Sequence, residues 1–289
     1  MAKSLTLFAS GRLWAPLIVL AASLAWTPAP LAADPPVNPV YTFGIVPQQS
    51  ATELARTWGP VLNALQAKSG LTLRFATAPD IPTFEQRLAA GEYDFAYMNP
   101  YHYTVFHQRP GYAVFAKEKD RLLKGIVVIR KDAPFAQLAD LAGETLIFPA
   151  PAAFAATVLV RAALSQQGIA ITPKFVASHD SVYLSVAKGL YPAGGGVTRT
   201  FESLDPAVRD ALRILWTTEG YTPHAIAAHP RIPAAVVERL RDAMLGLDGD
   251  PEVQAALEGI RFKGIAAARD ADYDDVRALR IDLLDTLAE

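Results

Sequence analysis

The chain has 289 residues, 51% apolar and 19% charged, enough for one large or two ordinary domains with a real core; this composition excludes a disordered chain. It contains no cysteine, so disulfides, thiol catalysis, thiolate metal sites and a lipid-modified cysteine anchor are excluded. The net charge of -2 is spread without a basic run, and no nucleic-acid partner is expected.

Residues 1–33 open with Lys3 and Arg12, run apolar and uncharged from Leu13 to Trp26, and reach Leu31-Ala32-Ala33 after a proline break. This is the order of a secretory signal peptide, with cleavage expected near Ala33. The apolar core is shorter than the roughly 20 residues of a spanning helix, and an uncleaved anchor is the other reading. Removal of residues 1–33 leaves 25 cations against 29 anions, an exported soluble chain of net charge -4. Asp34 to Pro39 reads as a proline-rich tether.

Val40 to Val46 reads as a first strand. Pro47-Gln48-Gln49-Ser50 then turns the chain, with Ser50 as N-cap and Glu53 at the capping-box spacing. The helix that follows carries a stripe of Leu54, Trp58, Val61, Leu62 and Leu65 and stops at Gly70. Leu71 to Ala76 alternates as a second strand, and Thr83 to Ala90 is a short helix closed by Gly91. Tyr93 to Met98 is a buried third strand that runs into Asn99-Pro100, and a helix from Pro100 to about His107 follows. Tyr101, His102 and Tyr103 crowd that turn, either as a binding wall beyond a strand end or as packing between layers.

Tyr112 to Lys117 and Leu122 to Arg130 are two more strands. Gln137 to Leu141 is a helical turn, and Glu144 to Phe148 a strand. Ala152 to Gln167 reads as one alanine-rich helix, Thr172 to Ala177 as a strand, and Ser178 caps a helix ending at Lys188-Gly189. Leu190 to Gly196 is a strand with three glycines, which either admit a ligand close to the backbone or make a tight connection. Leu212 to Trp216 is a strand, and the remainder is helical: Pro233 to Leu245, Pro251 to Glu258 and Tyr273 to Leu287. Alternating strands and helices predict βαβ units and a mainly parallel sheet. A strand, a turn rich in Pro, Ser or His, and a helix recur near residues 46, 98, 148 and 177, which suits two α/β lobes aiming helix N-termini at a shared cleft.

Catalytic readings are weak. Ser178-His179-Asp180 are adjacent at a helix start and cannot face one another as a triad, and no Gly-x-Ser-x-Gly elbow exists. The five histidines, 102, 107, 179, 224 and 229, show no metal-ligand spacing, so no metal and no cofactor are expected. Glu219, Tyr221 and His224 stand as cleft or hinge residues or as a surface loop.

Several segments together resemble the periplasmic substrate-binding proteins of phosphate, phosphite and phosphonate ABC transporters. They are Gly44-Ile45-Val46-Pro47, Arg87 to Asp94, Asn99-Pro100 followed by Tyr103, Leu138 to Gly143, His179-Asp180-Ser181 and Asp272-Tyr273. The resemblance implies an α/β, type II-like clamshell of two lobes with two crossovers. Lobe 1 would span 34–120 plus 225–289, and lobe 2 121–224. It also implies a monomeric periplasmic solute-binding protein, not an enzyme. That protein would deliver a small ligand, a phosphonate or related oxyanion, to an ABC permease. The alternative is a ligand sensor reporting to a signalling membrane protein such as a kinase.

Tyr103 falls on the family's ligand-side tyrosine and His179 on its cleft histidine. Where the family has a Ser-Thr-Ser-Gly run, this chain has Ala153-Phe154-Ala155-Ala156. Backbone N–H groups and a helix N-terminus remain there, but each lost hydroxyl bond to a charged group is worth about 1.5–3 kcal/mol. The ligand-binding residues expected on this basis are Gln48, Ser50, Asn99, Tyr101, Tyr103, Phe154, Thr157, His179, Asp180 and Ser181.

Overall fold

A computed structural model describes residues 39–247 and 251–288. The signal peptide and most of the tether read from the sequence lie outside the described residues.

The chain builds two sheets. The first holds β1 (Val40–Ile45), β2 (Thr72–Ala76), β3 (Phe95–Met98), β4 (Ala113–Glu118), and later β10 (Ala225–Ala228) and β11 (Ile265–Ala267). Its order is β11-β4-β10-β3-β1-β2. The second holds β5 (Gly125–Arg130), β6 (Thr145–Phe148), β7 (Thr172–Phe175), β8 (Ala193–Val197) and β9 (Leu212–Thr217), in the order β7-β6-β8-β5-β9. The chain passes between sheets twice, after β4 and after β9. The two passing segments pair through Leu123 and Tyr221, whose N–H and C=O groups exchange bonds of 2.8 and 3.0 Å.

The expected mainly parallel sheet is corrected to two mixed ones. β1 pairs in parallel with β2 and β3, and β6 with β7 and β8. The strands flanking each crossover run the other way: β10 is antiparallel to β3 and β4, and β5 to β8 and β9. Strands entering a sheet from the crossover side have no helix to turn them back, so they meet their neighbours antiparallel.

Helix α1 (Ala51–Ser69) starts as its sequence dictates. The Ser50 hydroxyl accepts the Glu53 N–H, and Gly70 ends the helix at φ 65°, a left-handed turn suited to glycine. Its stripe of Leu54, Trp58, Val61, Leu62 and Leu65 is buried. α2 (Ile81–Ala89) and α3 (Pro100–Gln108) are capped by Asp80 and Asn99. α4 (Val160–Gln166) and α5 (His179–Ala187) flank the second sheet, followed by short α6 (Thr198–Glu202) and α7 (Pro206–Arg209). α8 (Ala234–Leu245) and α9 (Pro251–Gly259) pack on α1, with α10 (Asp274–Arg277) and α11 (Asp285–Ala288) at the end.

Two helix expectations change. Ala152 to Gln167 is not one α-helix, because Phe154–Leu159 is wound as a π-turn before α4. The turn lies flat on two glycine strands: a Cβ on Gly125 would come within 2.0 Å of the Ala155 carbonyl oxygen, and one on Gly195 within 2.0 Å of that of Ala156. Tyr273 to Leu287 also breaks, into α10 and α11, with Arg280 at φ 51° between them. The three glycines of β8 serve packing. A Cβ on Gly194 would strike Val182 of α5, and one on Gly196 the Tyr183 hydroxyl, so the connection reading of the run is the one the contacts support.

Candidate functional site

The strand ends and helix starts of the two sheets meet around one small cavity. Val46, Gln48, Ile81 and Asn99 come from the first sheet's side. Ala153, Phe154, Ala155, Ala156, His179 and Val197 come from the second's, and Leu123 and His224 from the crossovers. Its volume is about 10 Å³, close to the least that admits one water. As it stands, the cavity is too small for a solute larger than water.

The π-turn supplies backbone to this cavity. The Thr157 and Val158 N–H groups donate to the Ala153 carbonyl at 2.8 and 3.3 Å. The N–H groups of Phe154, Ala155 and Ala156 precede the first internal bond of the turn and have no acceptor within it. They stand at the positive end of a helical segment that continues through α4, a place that favours an acceptor or an anion.

His179 is 2% exposed, and its Nδ1 lies 3.3 Å from the Thr200 hydroxyl. Burial, reinforced by the nearby Arg199 guanidinium, pushes its pKa down to about 3. The buried ring therefore favours its neutral form. His224 is also buried and stacks on Tyr97 at 4.9 Å. Burial, then Arg199, holds its pKa well below the usual histidine range. Its Nε2 has no hydrogen-bond partner among the described residues.

Of the residues expected from sequence, Gln48, Asn99, Phe154 and His179 converge on this cavity. Asn99 spans it: its Oδ1 caps α3 by accepting the His102 N–H at 2.7 Å, and its Nδ2 reaches the Ala152 carbonyl at 3.4 Å. Thr157 lies just behind the lining, fully buried, with its Oγ1 unpartnered among the described residues.

Ser50 and Asp180 sit together in a separate open groove beside Glu53 and Arg56. Burial raises the Asp180 carboxyl to about 6, although the Ser50 backbone N–H pulls it back and Glu53 pushes the same way as burial. Ser181 is absorbed in the α5 cap, its N–H donating to the Ser178 hydroxyl at 3.2 Å. Tyr101 and Tyr103 turn away from the cavity, because α3 presents them to the C-terminal segment. The Tyr101 hydroxyl accepts the Leu284 N–H at 2.9 Å. The Tyr103 hydroxyl donates to Asp270 at 2.8 Å, and its ring packs on Tyr273 at 4.6 Å. His102 is likewise internal, 2.9 Å from Glu85.

One residue beside the site, Arg199, escapes the sequence reading. His224 stands there as a cleft or hinge residue or a surface loop, and the return crossover brings it to the cavity lining. Arg199 has a single faint signal, that of the first cation after a fully buried glycine strand.

The family model described as "ABC transporter, phosphonate, periplasmic substrate-binding protein" matches residues 43–273. The chain belongs to this family. The phosphate-import protein PhnD of Mycolicibacterium smegmatis is 23% identical over 275 residues, covering 82% of this chain and 83% of that one. The crystal structure of a binding protein component of an ABC phosphonate transporter from Pseudomonas aeruginosa has a similar fold. Its TM-score is 0.78 at 18% identity, over 84% of this chain and 86% of that one. PhnD1 of Prochlorococcus marinus, solved in complex with methylphosphonate, gives 0.76 at 17% identity, over 85% and 98%. The architecture is thus that of the two-lobed periplasmic binding proteins, as the sequence resemblance implied. The binding protein is the solute-capturing component of an ABC transport system, and the family match favours that reading over the sensory one. Among the described residues no helix is long and apolar enough to cross a membrane.

Proposed function

We propose that this binding protein captures a small oxyanion of the phosphate or phosphonate class between two lobes and presents it to an ABC permease. The lobes are 34–120 plus 225–289, and 121–224, a division supported by the membership of the two sheets. The single observation that carries the ligand class is the π-turn, three backbone N–H groups without an internal acceptor at a cavity flanked by Gln48, Asn99, His179 and His224. Phe154, Leu123 and Ile81 give the same cavity an apolar side, which suits a short alkyl group or a bare oxyanion. The Ser50–Asp180 pair helps hold the lobes together, and Tyr101, Tyr103, Thr157 and Ser181 brace the elements around the site. The protein acts as a monomer in the periplasm after cleavage near Ala33, with no nucleic-acid partner and no catalytic turnover.

Thermal denaturation with phosphate, phosphite, methylphosphonate, a sulfonate and a small amine tests the ligand class. A ligand at 100 times its Kd adds about 2.7 kcal/mol to stability. A shift with at least one phosphorus oxyanion and none with the amine is expected. No shift with any phosphorus oxyanion would overturn the assignment.

A further inference from the structure

Among the described residues, the side chain of Arg199 belongs to one half of the molecule and its ion-pair, hydrogen-bond and ring partners to the other. It rises from α6, just after β8 of the second sheet, and is 11% exposed. Its Nη2 donates to Gln48 Oε1 at 2.9 Å. Its Nη1 lies 3.7 Å from Glu118, at the end of β4. The guanidinium carbon sits 5.4 Å from the ring centres of both Tyr97 and Phe262, a distance at which a cation is held by an aromatic face.

Building on the oxyanion-capture reading, we propose that Arg199 is the latch that couples lobe closure to solute binding by holding Gln48 with its amide donors free for the solute. Arginine offers only donors, so the Gln48 atom it meets is the carbonyl oxygen. That leaves the Gln48 Nε2 hydrogens for the cavity that Gln48 lines. The second half grips Gln48 twice, since the His179 N–H also donates to the Gln48 backbone carbonyl at 3.0 Å. Both grips exist only while the halves are together.

Glu118 makes the latch specific to a cation. It is 5% exposed, and one of its oxygens has no hydrogen-bond partner among the described residues. Burial raises its pKa against the pull of Arg199, Arg121 and Lys263, while Glu202 acts with burial. Arg121 is 3.9 Å away and is itself bound to Glu202 at 2.7 Å. Loss of the Arg199 charge would leave Glu118 short of compensation in the closed arrangement, and opening would rehydrate it. A residue that served only to fold one lobe would show no such dependence on closure.

The absence of cysteine permits a direct test. Ala67, on α1, and Ser165, on α4, are exposed on opposite halves. Ala67→Cys and Ser165→Cys can carry spin labels for pulsed distance measurement, with inorganic phosphate and methylphosphonate titrated calorimetrically. Arg199→Gln is expected to lengthen and broaden the label distances and to weaken oxyanion binding at least tenfold. Gln48→Glu separates latch from solute: it keeps an acceptor for Arg199 but loses the donors. Short distances are then expected with oxyanion affinity reduced about a hundredfold. Unchanged distances and affinity in folded Arg199→Gln, or parallel loss of closure and affinity in Gln48→Glu, would overturn the proposal. If the unaltered protein binds neither oxyanion, the capture reading fails, and the label distances in Arg199→Gln still decide the latch.

Discussion

Gly195 sits where two backbones meet. Its missing Cβ leaves room for the Ala156 carbonyl oxygen, which an added methyl would approach to 2.0 Å, with the Phe148 ring at 2.6 Å on the same side. Backbone cannot swing away as a lysine tip can, so Gly195→Ala must displace the π-turn or the strand. Overpacking a dense interior costs about 1–3 kcal/mol, and a loss at the upper end is expected in a urea melt. Gly59 is the looser case: it lies inside α1, and outside its chain neighbours and its own helix nothing comes within 4 Å of its Cβ position. Gly59→Ala should cost far less than Gly195→Ala, because the gain of about 0.5–1 kcal/mol usual for alanine in a helix is offset by crowding of the new Cβ against Pro60. A melt in which Gly59→Ala loses as much as Gly195→Ala would mean that the two glycines have been assigned the wrong roles. Sequence alone leaves the glycine run of β8 open between ligand approach and tight packing, since both need a missing side chain. Only the neighbours of each Cβ position separate them.

At the scale of elements, legibility follows how local the determining interaction is. Helix α1 is fully readable because its cap, its apolar stripe and its Gly70 stop all lie within twenty-one consecutive residues. Ser50→Ala removes the bond to the Glu53 N–H and should lower stability by about 1 kcal/mol, measured by chemical denaturation. An unchanged midpoint would show that the cap is redundant. The π-turn is unreadable for the opposite reason. Alanines at 152, 153, 155 and 156 are strong α-formers, and what winds them wider is the fit of two carbonyls onto Gly125 and Gly195, residues far off in the chain. The same logic governs α3. Its Asn99 cap and Pro100 start are local and legible, while the side on which Tyr101 and Tyr103 fall is fixed by the segment near Asp270 and Leu284, more than 160 residues away. The family pattern locates the turn correctly and leaves the direction of its aromatics undetermined.

For the whole molecule, pH acts through buried and half-buried groups where the two halves meet. His179, held at about 3, and His224, held well below 6.5, stay neutral in the folded protein. Unfolding exposes both to water, where they take up protons below about 6.5. Their folded pKa values are lowered, so the stability they contribute is present above 6.5 and falls away below it, for His179 as pH drops toward 3. Asp180 has the opposite sign. Its carboxyl is raised to about 6, so its contribution is present below about 3.8 and is lost as pH rises through 6. Between pH 4 and 6 the proton on folded Asp180 offsets the one taken up by unfolded His179, and the uptake by unfolded His224 adds to the latter. A single proton difference corresponds to about 1.4 kcal/mol per pH unit. Stability should therefore fall from pH 7 to 4.5, and His179→Gln should flatten that fall by about 1 kcal/mol per unit. Asp180→Asn should steepen it by a similar amount, because the compensating proton is gone. Denaturation series at half-unit steps, compared as slopes, remove the common contribution of surface carboxylates. Identical slopes in the unaltered protein and in both variants would show that neither group is held away from water as the structure has it.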